Sequence, residues 1–195
     1  MGPRVRHDRS RRAAGRVTTT GVLVLAALAL FVFWADPSGL PQVGSPPPAP
    51  AEWTEQELYG PCTIAKVVDG DTVDVLCSGS KTRVRLLRVD TPERDEPGFE
   101  AARDALQRMV GRRPLHLVFE EPGVPSWGNY GRMLAYLVNE RGQNLNLEMV
   151  RQGWSPFYRK FGDGRFGKDF EKAEATARRQ AKGLWGKTAP AAPAR

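Results

Sequence analysis

Four acidic residues fall where the backbone is expected to turn. Asp69 and Asp71 flank Gly70, Asp90 follows the alternating segment Thr82–Val89, and Glu93 comes three residues later across Thr91-Pro92. Proline fixes its own φ and biases the preceding residue toward extended backbone. The path from Asp90 to Glu93 is therefore stiff. If the two turns meet, Asp71 and Asp90 can share a hard cation. Calcium suits such a site, because it takes carboxylates, backbone carbonyls and water in flexible geometry. Acids at turns also commonly cap backbone N–H groups or face solvent, and that is our reading of Asp69 alone. Spacing leaves both roles open for the others. Arg85 lies mid-segment, and Arg132 follows Tyr130-Gly131 ahead of an apolar run. A guanidinium can hold two phosphate oxygens at once. Two of them beside a cation would stabilise charge building on a phosphodiester under attack. The commoner fate of an arginine in a small barrel is a surface ion pair, which is the expectation for Arg83 and Arg88. Composition alone does not separate these four arginines.

Other chemistries have less to work with. The chain holds two histidines, His7 and His116, and two cysteines, Cys62 and Cys77, with no C-x-x-C. A zinc site or a histidine pair is close to excluded. The formal charge is +7, but six arginines against Asp8 in residues 1–16 supply +5 of it and leave +2 for the rest. Overall basicity therefore says little about whether a folded domain binds a polyanion.

The elements that must position these residues begin after a long non-globular start. Val17 to Ala35 is 19 residues without a charge. As a helix it would span about 28 Å, close to the hydrocarbon thickness of a bilayer. The basic tail 1–16 before it predicts a cytoplasmic N-terminus, with Trp34 at the far interface. A cleaved signal peptide is the rival reading, disfavoured by Phe33 at the −3 position of a site after Ala35. Both readings export the chain beyond residue 35. Residues 36–57 include Pro46-Pro47-Pro48-Ala49-Pro50 and read as an extended spacer. Residues 188–195 read as a disordered tail.

Between these ends, residues 58–187 form the expected domain. Thr63–Val68, Thr72–Leu76, Thr82–Val89, Leu115–Phe119 and Met133–Val138 read as strands. Phe99–Val110, Leu145–Gln152 and Lys168–Lys182 read as helices, with Gly153 and Gly183 as stops. The expected architecture is α+β: a five-stranded OB-type barrel with about three helices, preceded by one transmembrane helix. In a hairpin centred on Asp69-Gly70, Cys62 and Cys77 would face each other. An exported domain can keep a disulfide there; two unpaired core thiols are the alternative.

Val68-Asp69-Gly70-Asp71-Thr72-Val73, Arg85-Leu86-Leu87-Arg88-Val89-Asp90-Thr91-Pro92-Glu93 and Tyr130-Gly131-Arg132-Met133-Leu134-Ala135-Tyr136 occur in order. With Leu147–Gly153 and Leu184-Trp185, they resemble the staphylococcal nuclease (thermonuclease) family over nearly all of 58–187. The resemblance implies hydrolysis of DNA and RNA at the bond from phosphorus to the 5′ oxygen. It implies calcium held by the carboxylates of Asp71 and Asp90 and the backbone carbonyl of Thr91. Glu93 would hold or activate the attacking water, and Arg85 and Arg132 would bind phosphate. Two departures stand out. Residues 94–99 are shorter than the family loop and lack its lysines. Of the family's paired tyrosines near the substrate base, only one has a counterpart here, Tyr158. Trp154, Phe157 or Phe161 can take the stacking role, though Trp154 and Trp185 are assigned to the core. The basic run Arg178–Lys182 reads as a solvated helix face. The expected protein is thus a membrane-tethered, extracytoplasmic nuclease acting on nucleic acid, with no protein partner. The alternative is a non-catalytic OB-type module displaying a nucleic-acid- or protein-binding surface.

Overall fold

The chain divides into two units, Met1–Pro48 and Ala49–Arg195. The computed structural model describes residues 53–186, and Gly2 apart from them. The expectations for 1–16, 17–35 and 188–195 lie outside the described residues. Among the described residues no helix is long and apolar enough to cross a membrane.

Runs of Val, Ile, Thr and Leu, broken by Gly- and Asp-containing turns, give the strands. They are β1 (Tyr59–Val67), β2 (Thr72–Cys77), β3 (Ser80–Leu86), β4 (Leu115–Val118), β5 (Ser126–Trp127) and β6 (Met133–Asn139). β1 and β2 pair antiparallel from Cys62↔Cys77 to Val67↔Val73, with a bulge between Ile64 and Lys66. β3 pairs antiparallel with β2 and, at its end, parallel with β6 through Val84↔Met133, Arg85↔Leu134 and Leu86↔Ala135. With β4 joining β1 to β6, the order β3-β2-β1-β4-β6 closes on itself. Closure removes the sheet edges. Its interior holds Val73, Val75, Val84, Leu86, Leu117 and Ala135, all essentially inaccessible to solvent.

Three α-helices occur among the described residues: α1 (Phe99–Val110), α2 (Leu145–Arg151) and α3 (Gly167–Arg179). α1 buries Ala102, Ala105, Leu106 and Val110, a stripe at helical spacing. Glu100 in its first turn and Arg108 in its last complement the helix dipole. α2 is capped by Asn144, whose side chain accepts from the Leu147 N–H at 3.2 Å. α3 turns Phe170, Ala173 and Ala177 inward.

The structure corrects several expectations. The third strand ends at Leu86 rather than Val89, because Arg88 takes a left-handed φ of 64° and turns the chain out of the sheet. The two-residue β5 beside β6 is an addition; it is too short for periodicity to reveal. Trp53 and Glu57, expected in the spacer, contact the domain. The Trp53 indole donates to the Gly142 carbonyl at 2.8 Å and meets Phe166 edge-on, while Glu57 pairs with Arg165. Arg83 does form an ion pair, its half-exposed guanidinium reaching the buried carboxylate of Asp74 at 2.7 Å. Arg88 is instead buried, and it pairs with Glu120 at 3.1 Å and donates to the Phe161 carbonyl at 3.0 Å.

Cys62 and Cys77 are joined as a disulfide with a Cα separation of 4.3 Å, closing a sequence separation of 15 residues. A link across such a loop stabilises by about 3 kcal/mol in the chain-entropy account. Reduction, or the Cys62→Ala/Cys77→Ala pair, should lower the melting temperature accordingly in thermal scans with and without reductant. Buried Asp74 makes a second test. Hydrogen bonding to Arg83, then Lys81, outweighs its burial and holds its carboxyl at about 2 against an ordinary 3.8. Because the folded value is depressed, its contribution is complete above about pH 4 and is lost as pH falls toward 2. Its partners Lys81 and Arg83 are 62% and 52% exposed, so screening limits the effect to about 1 kcal/mol. Asp74→Asn should flatten the acid limb of stability against pH by that amount in urea melts.

Candidate active site

The β1–β2 turn and the segment leaving β3 meet at one end of the barrel. Gly70 lets them approach: a Cβ there would sit 2.7 Å from Thr91 Cγ2, 2.8 Å from Thr91 Oγ1 and 2.9 Å from Ala102 Cβ of α1. Asp69 shapes the turn, its carboxylate accepting from the Asp71 N–H at 3.0 Å. The Asp71 N–H and C=O are thereby both engaged, since its carbonyl accepts from the Leu86 N–H at 2.8 Å. Its carboxylate points at the other segment. Oδ2 accepts from the Thr91 N–H at 2.9 Å and from Thr91 Oγ1 at 3.1 Å, and Oδ1 accepts from Thr72 Oγ1 at 3.0 Å.

Arg85 joins the two halves. Opposite Thr72 in the β2–β3 register, it pairs with Asp71 and, through Nη2, with Asp90 Oδ1 at 2.9 Å. All three side chains are largely buried. Burial lowers the Arg85 guanidinium below its ordinary value, against the pull of Asp90, and the positive charge of Arg132 lowers it further. Burial likewise raises the Asp69 carboxyl, opposed by hydrogen bonding from Thr72 and by the charges of Arg85 and Arg132. Arg132 thus acts on the same cluster. It stands just before β6, with Nε donating to the Asn129 carbonyl at 3.2 Å and its guanidinium 5.6 Å from the Tyr130 ring centre.

Glu93 is exposed at the rim, two residues beyond Thr91. The short loop after it folds as a turn: its N–H donates to Glu96 Oε2 at 2.8 Å, and the Glu96 N–H donates to the Glu93 carbonyl at 2.8 Å. Tyr158 lies on the flank. Residues 155–158 run antiparallel beside 88–90, with Val89 bridged to Phe157 and the Tyr158 N–H donating to the Arg88 carbonyl at 3.1 Å. Tyr158 is half-buried, edge-on to the exposed Phe161 at 6.0 Å. Phe157 is not available for stacking on a base; it is buried and stacked on Phe170 at 5.2 Å. Trp154 packs against the core, and Arg178 lies over the Trp185 ring at 3.7 Å.

Sequence reasoning overlooks two residues that brace this cluster. Ser155, fully buried, accepts from the Asp90 N–H at 2.8 Å. Asn146, also fully buried, accepts from the Leu137 N–H at 3.0 Å and donates to the carbonyls of Leu87 and Ala135. Nothing about a serine before a proline or an asparagine in a helix marks such a role; only the tertiary fold brings them to their partners.

Residues 83–187 match the family model described as staphylococcal nuclease homologue. The match takes in Arg85, Asp90, Thr91, Glu93, Arg132 and Tyr158, while Asp71 precedes it. Protein ParB of Escherichia coli is 36% identical over 137 residues, covering 66% of this chain and 73% of that protein. This chain belongs to the staphylococcal nuclease family. A micrococcal nuclease of Shigella flexneri is similar to it at 34% identity over 130 residues, covering 63% of this chain and 71% of that protein. An uncharacterized endonuclease of Escherichia coli O157:H7 is 28% identical over 130 residues, covering 67% and 80%. Membership makes the chain a nuclease, a hydrolase. It also gives a reason for the barrel end at which the nuclease gathers its acids and arginines.

The tight approach at Gly70 predicts a specific failure. Gly70→Ala must displace Thr91 or α1, an overpacking that costs about 1–3 kcal/mol. Urea unfolding should show that loss, whereas Gly79→Ala, where a Cβ meets nothing within 4 Å, tests only the strain of a left-handed glycine.

Proposed function

We propose that the chain is a calcium-dependent nuclease that hydrolyses DNA or RNA phosphodiesters, cutting between phosphorus and the 5′ oxygen. The observation that carries the proposal is the gathering of Asp71, Asp90 and Thr91 with Arg85 within hydrogen-bonding reach. The donor set suits a hard cation: two carboxylates and a backbone carbonyl, all oxygen. Among the described residues no group of three or more His, Cys, Asp or Glu is placed to hold a metal. Water would complete the shell, as calcium tolerates.

Asp71, Asp90 and the Thr91 carbonyl would hold the ion, which when bound supplies positive charge to the phosphate and to its attacking water. Glu93, exposed two residues beyond Thr91, would take a proton from that water at its carboxylate. Arg85 and Arg132 present N–H donors to the phosphate oxygens and bind the charge of the transition state more tightly than the ground state. Arg85 pairs with the carboxylates proposed for the ion, so ion and arginine compete for them; a phosphate gives the arginine another anion. Tyr158 would contact a base of the substrate, and Phe161 beside it extends the apolar surface.

We further propose that residues 17–35 export the domain and anchor it, with 1–16 cytoplasmic and 58–187 outside the cytoplasm. The Cys62–Cys77 disulfide supports export, since such bonds persist in oxidising compartments.

Cleavage of single-stranded DNA, duplex DNA and RNA by the full chain, with calcium and with a chelator, tests the reading. Calcium-dependent cleavage is expected. Arg85→Ala and Glu93→Ala should each lower kcat by about 10²-fold or more. Cleavage that survives the chelator would overturn the calcium assignment. A folded chain that binds nucleic acid without cutting it would favour the non-catalytic module.

A further inference from the structure

Asp90 follows a short antiparallel contact. The Tyr158 N–H donates to the Arg88 carbonyl, and Val89 and Phe157 form an isolated antiparallel bridge. The next position on the facing segment is Pro156, which has no N–H to give. The Asp90 backbone is nonetheless buried, so its N–H and C=O both need partners. The hydroxyl of Ser155 supplies them. It accepts from the Asp90 N–H at 2.8 Å and lies 3.2 Å from the Asp90 carbonyl and 2.6 Å from that of Pro156. Its one proton is shared between these two acceptors.

The peptide unit joining Asp90 to Thr91 is consequently held at both ends. Its oxygen faces Ser155, and its N–H donates to Asp71 Oδ2 at 2.9 Å. Rotation of this unit would swing the Asp71 contact away and redirect both the Asp90 side chain and the Thr91 carbonyl. These are the three groups proposed for the ion.

We infer that Ser155 is a positioning residue for the calcium site, setting the Asp90–Thr91 backbone so that both carboxylates and the Thr91 carbonyl converge. The inference rests on the calcium reading of the site. Ser155 touches neither the ion nor the substrate, so its effect is read in ion affinity rather than in chemistry alone. Groups that orient metal ligands typically change affinity by about 10- to 100-fold when removed.

The test is calcium titration of the full chain by calorimetry, with thermal melts in chelator alongside. Ser155→Ala should bind calcium about 10- to 100-fold more weakly while still melting cooperatively. Ser155→Cys keeps a side-chain donor, though a weaker and larger one, and should fall between Ser155→Ala and the unaltered chain. A purely structural serine would lower the melting temperature in chelator and leave the calcium affinity of the folded protein within about twofold. That result for Ser155→Ala overturns the inference, and if Ser155→Ala fails to fold, the same result for Ser155→Cys does so in its place. An unaltered chain that binds no calcium overturns the calcium reading itself, and the inference with it; binding by the unaltered chain that neither substitution weakens overturns only the role of Ser155.

Discussion

Strand β3 carries neighbours on both edges, β2 along its length and β6 at its end, and the β6 pairing is parallel. A parallel pair needs a long crossover, and here it consumes everything from Leu87 to Arg132, including α1 and β4. The chain must therefore leave the sheet abruptly after Leu86. Leu87 still donates to the Ala135 carbonyl at 3.0 Å, Arg88 takes the left-handed conformation, and the next residues swing across to Asp71. The site lies where closing the barrel forces a departing strand over a hairpin turn. Asn146 fixes the departure from below by bonding to Leu87 and Ala135 together.

A left-handed arginine in the interior is stable only if its surroundings over-determine it. Glu120 is the centre of that support. It accepts from Arg88 at 3.1 Å, from the Tyr136 hydroxyl at 2.8 Å and from the Arg165 backbone N–H. Burial, with Glu120 close by, raises the Tyr136 phenol so that it stays a donor. Gly164 leaves room: a Cβ there would come within 2.6 Å of the Arg88 guanidinium. Holding the residues from Tyr158 to Arg165 against the β3 exit is what that network does, and Tyr158 is fixed beside the site as a result.

The acids are legible in the sequence as residues at turns and strand ends, whereas Arg85 and Arg132 are set apart from Arg83 and Arg88 only by the family resemblance. Asp69-Gly70-Asp71 between two β-branched runs, and Thr91-Pro92 after an alternating one, indicate both the elements and the placement of acids at their ends. The extent of β3 is less legible, since Val89 continues the alternation and only the conformation of Arg88 interrupts it. Arg88 itself escapes a sequence reading because its partner Glu120 lies 32 residues away, beyond any local pattern. The same holds for Ser155, whose partner Asp90 is 65 residues distant, and for the bond from Asn146 to Leu87, which spans 59. Phe157 reads like its neighbours Tyr158 and Phe161 in sequence. A bridge to Val89 turns it inward, and period alone does not reveal which of three aromatics faces the core.

The first hairpin is tied at both ends. At its open end Cys62 and Cys77 are covalently joined, and at its turn Asp71 is bonded to Thr72, Thr91 and Arg85. Local opening of a protein usually starts where an element can fray, and this one has no loose end from which to begin. With the covalent tie in place, its strands also remain neighbours in the denatured chain, so their pairing involves little search. β1 and β2 should then form the slowest-exchanging part of the molecule and the earliest to assemble. The carboxylate of Asp71 is mounted on the most persistent element of the fold, and that of Asp90 reaches it from a segment that must be brought in afterward.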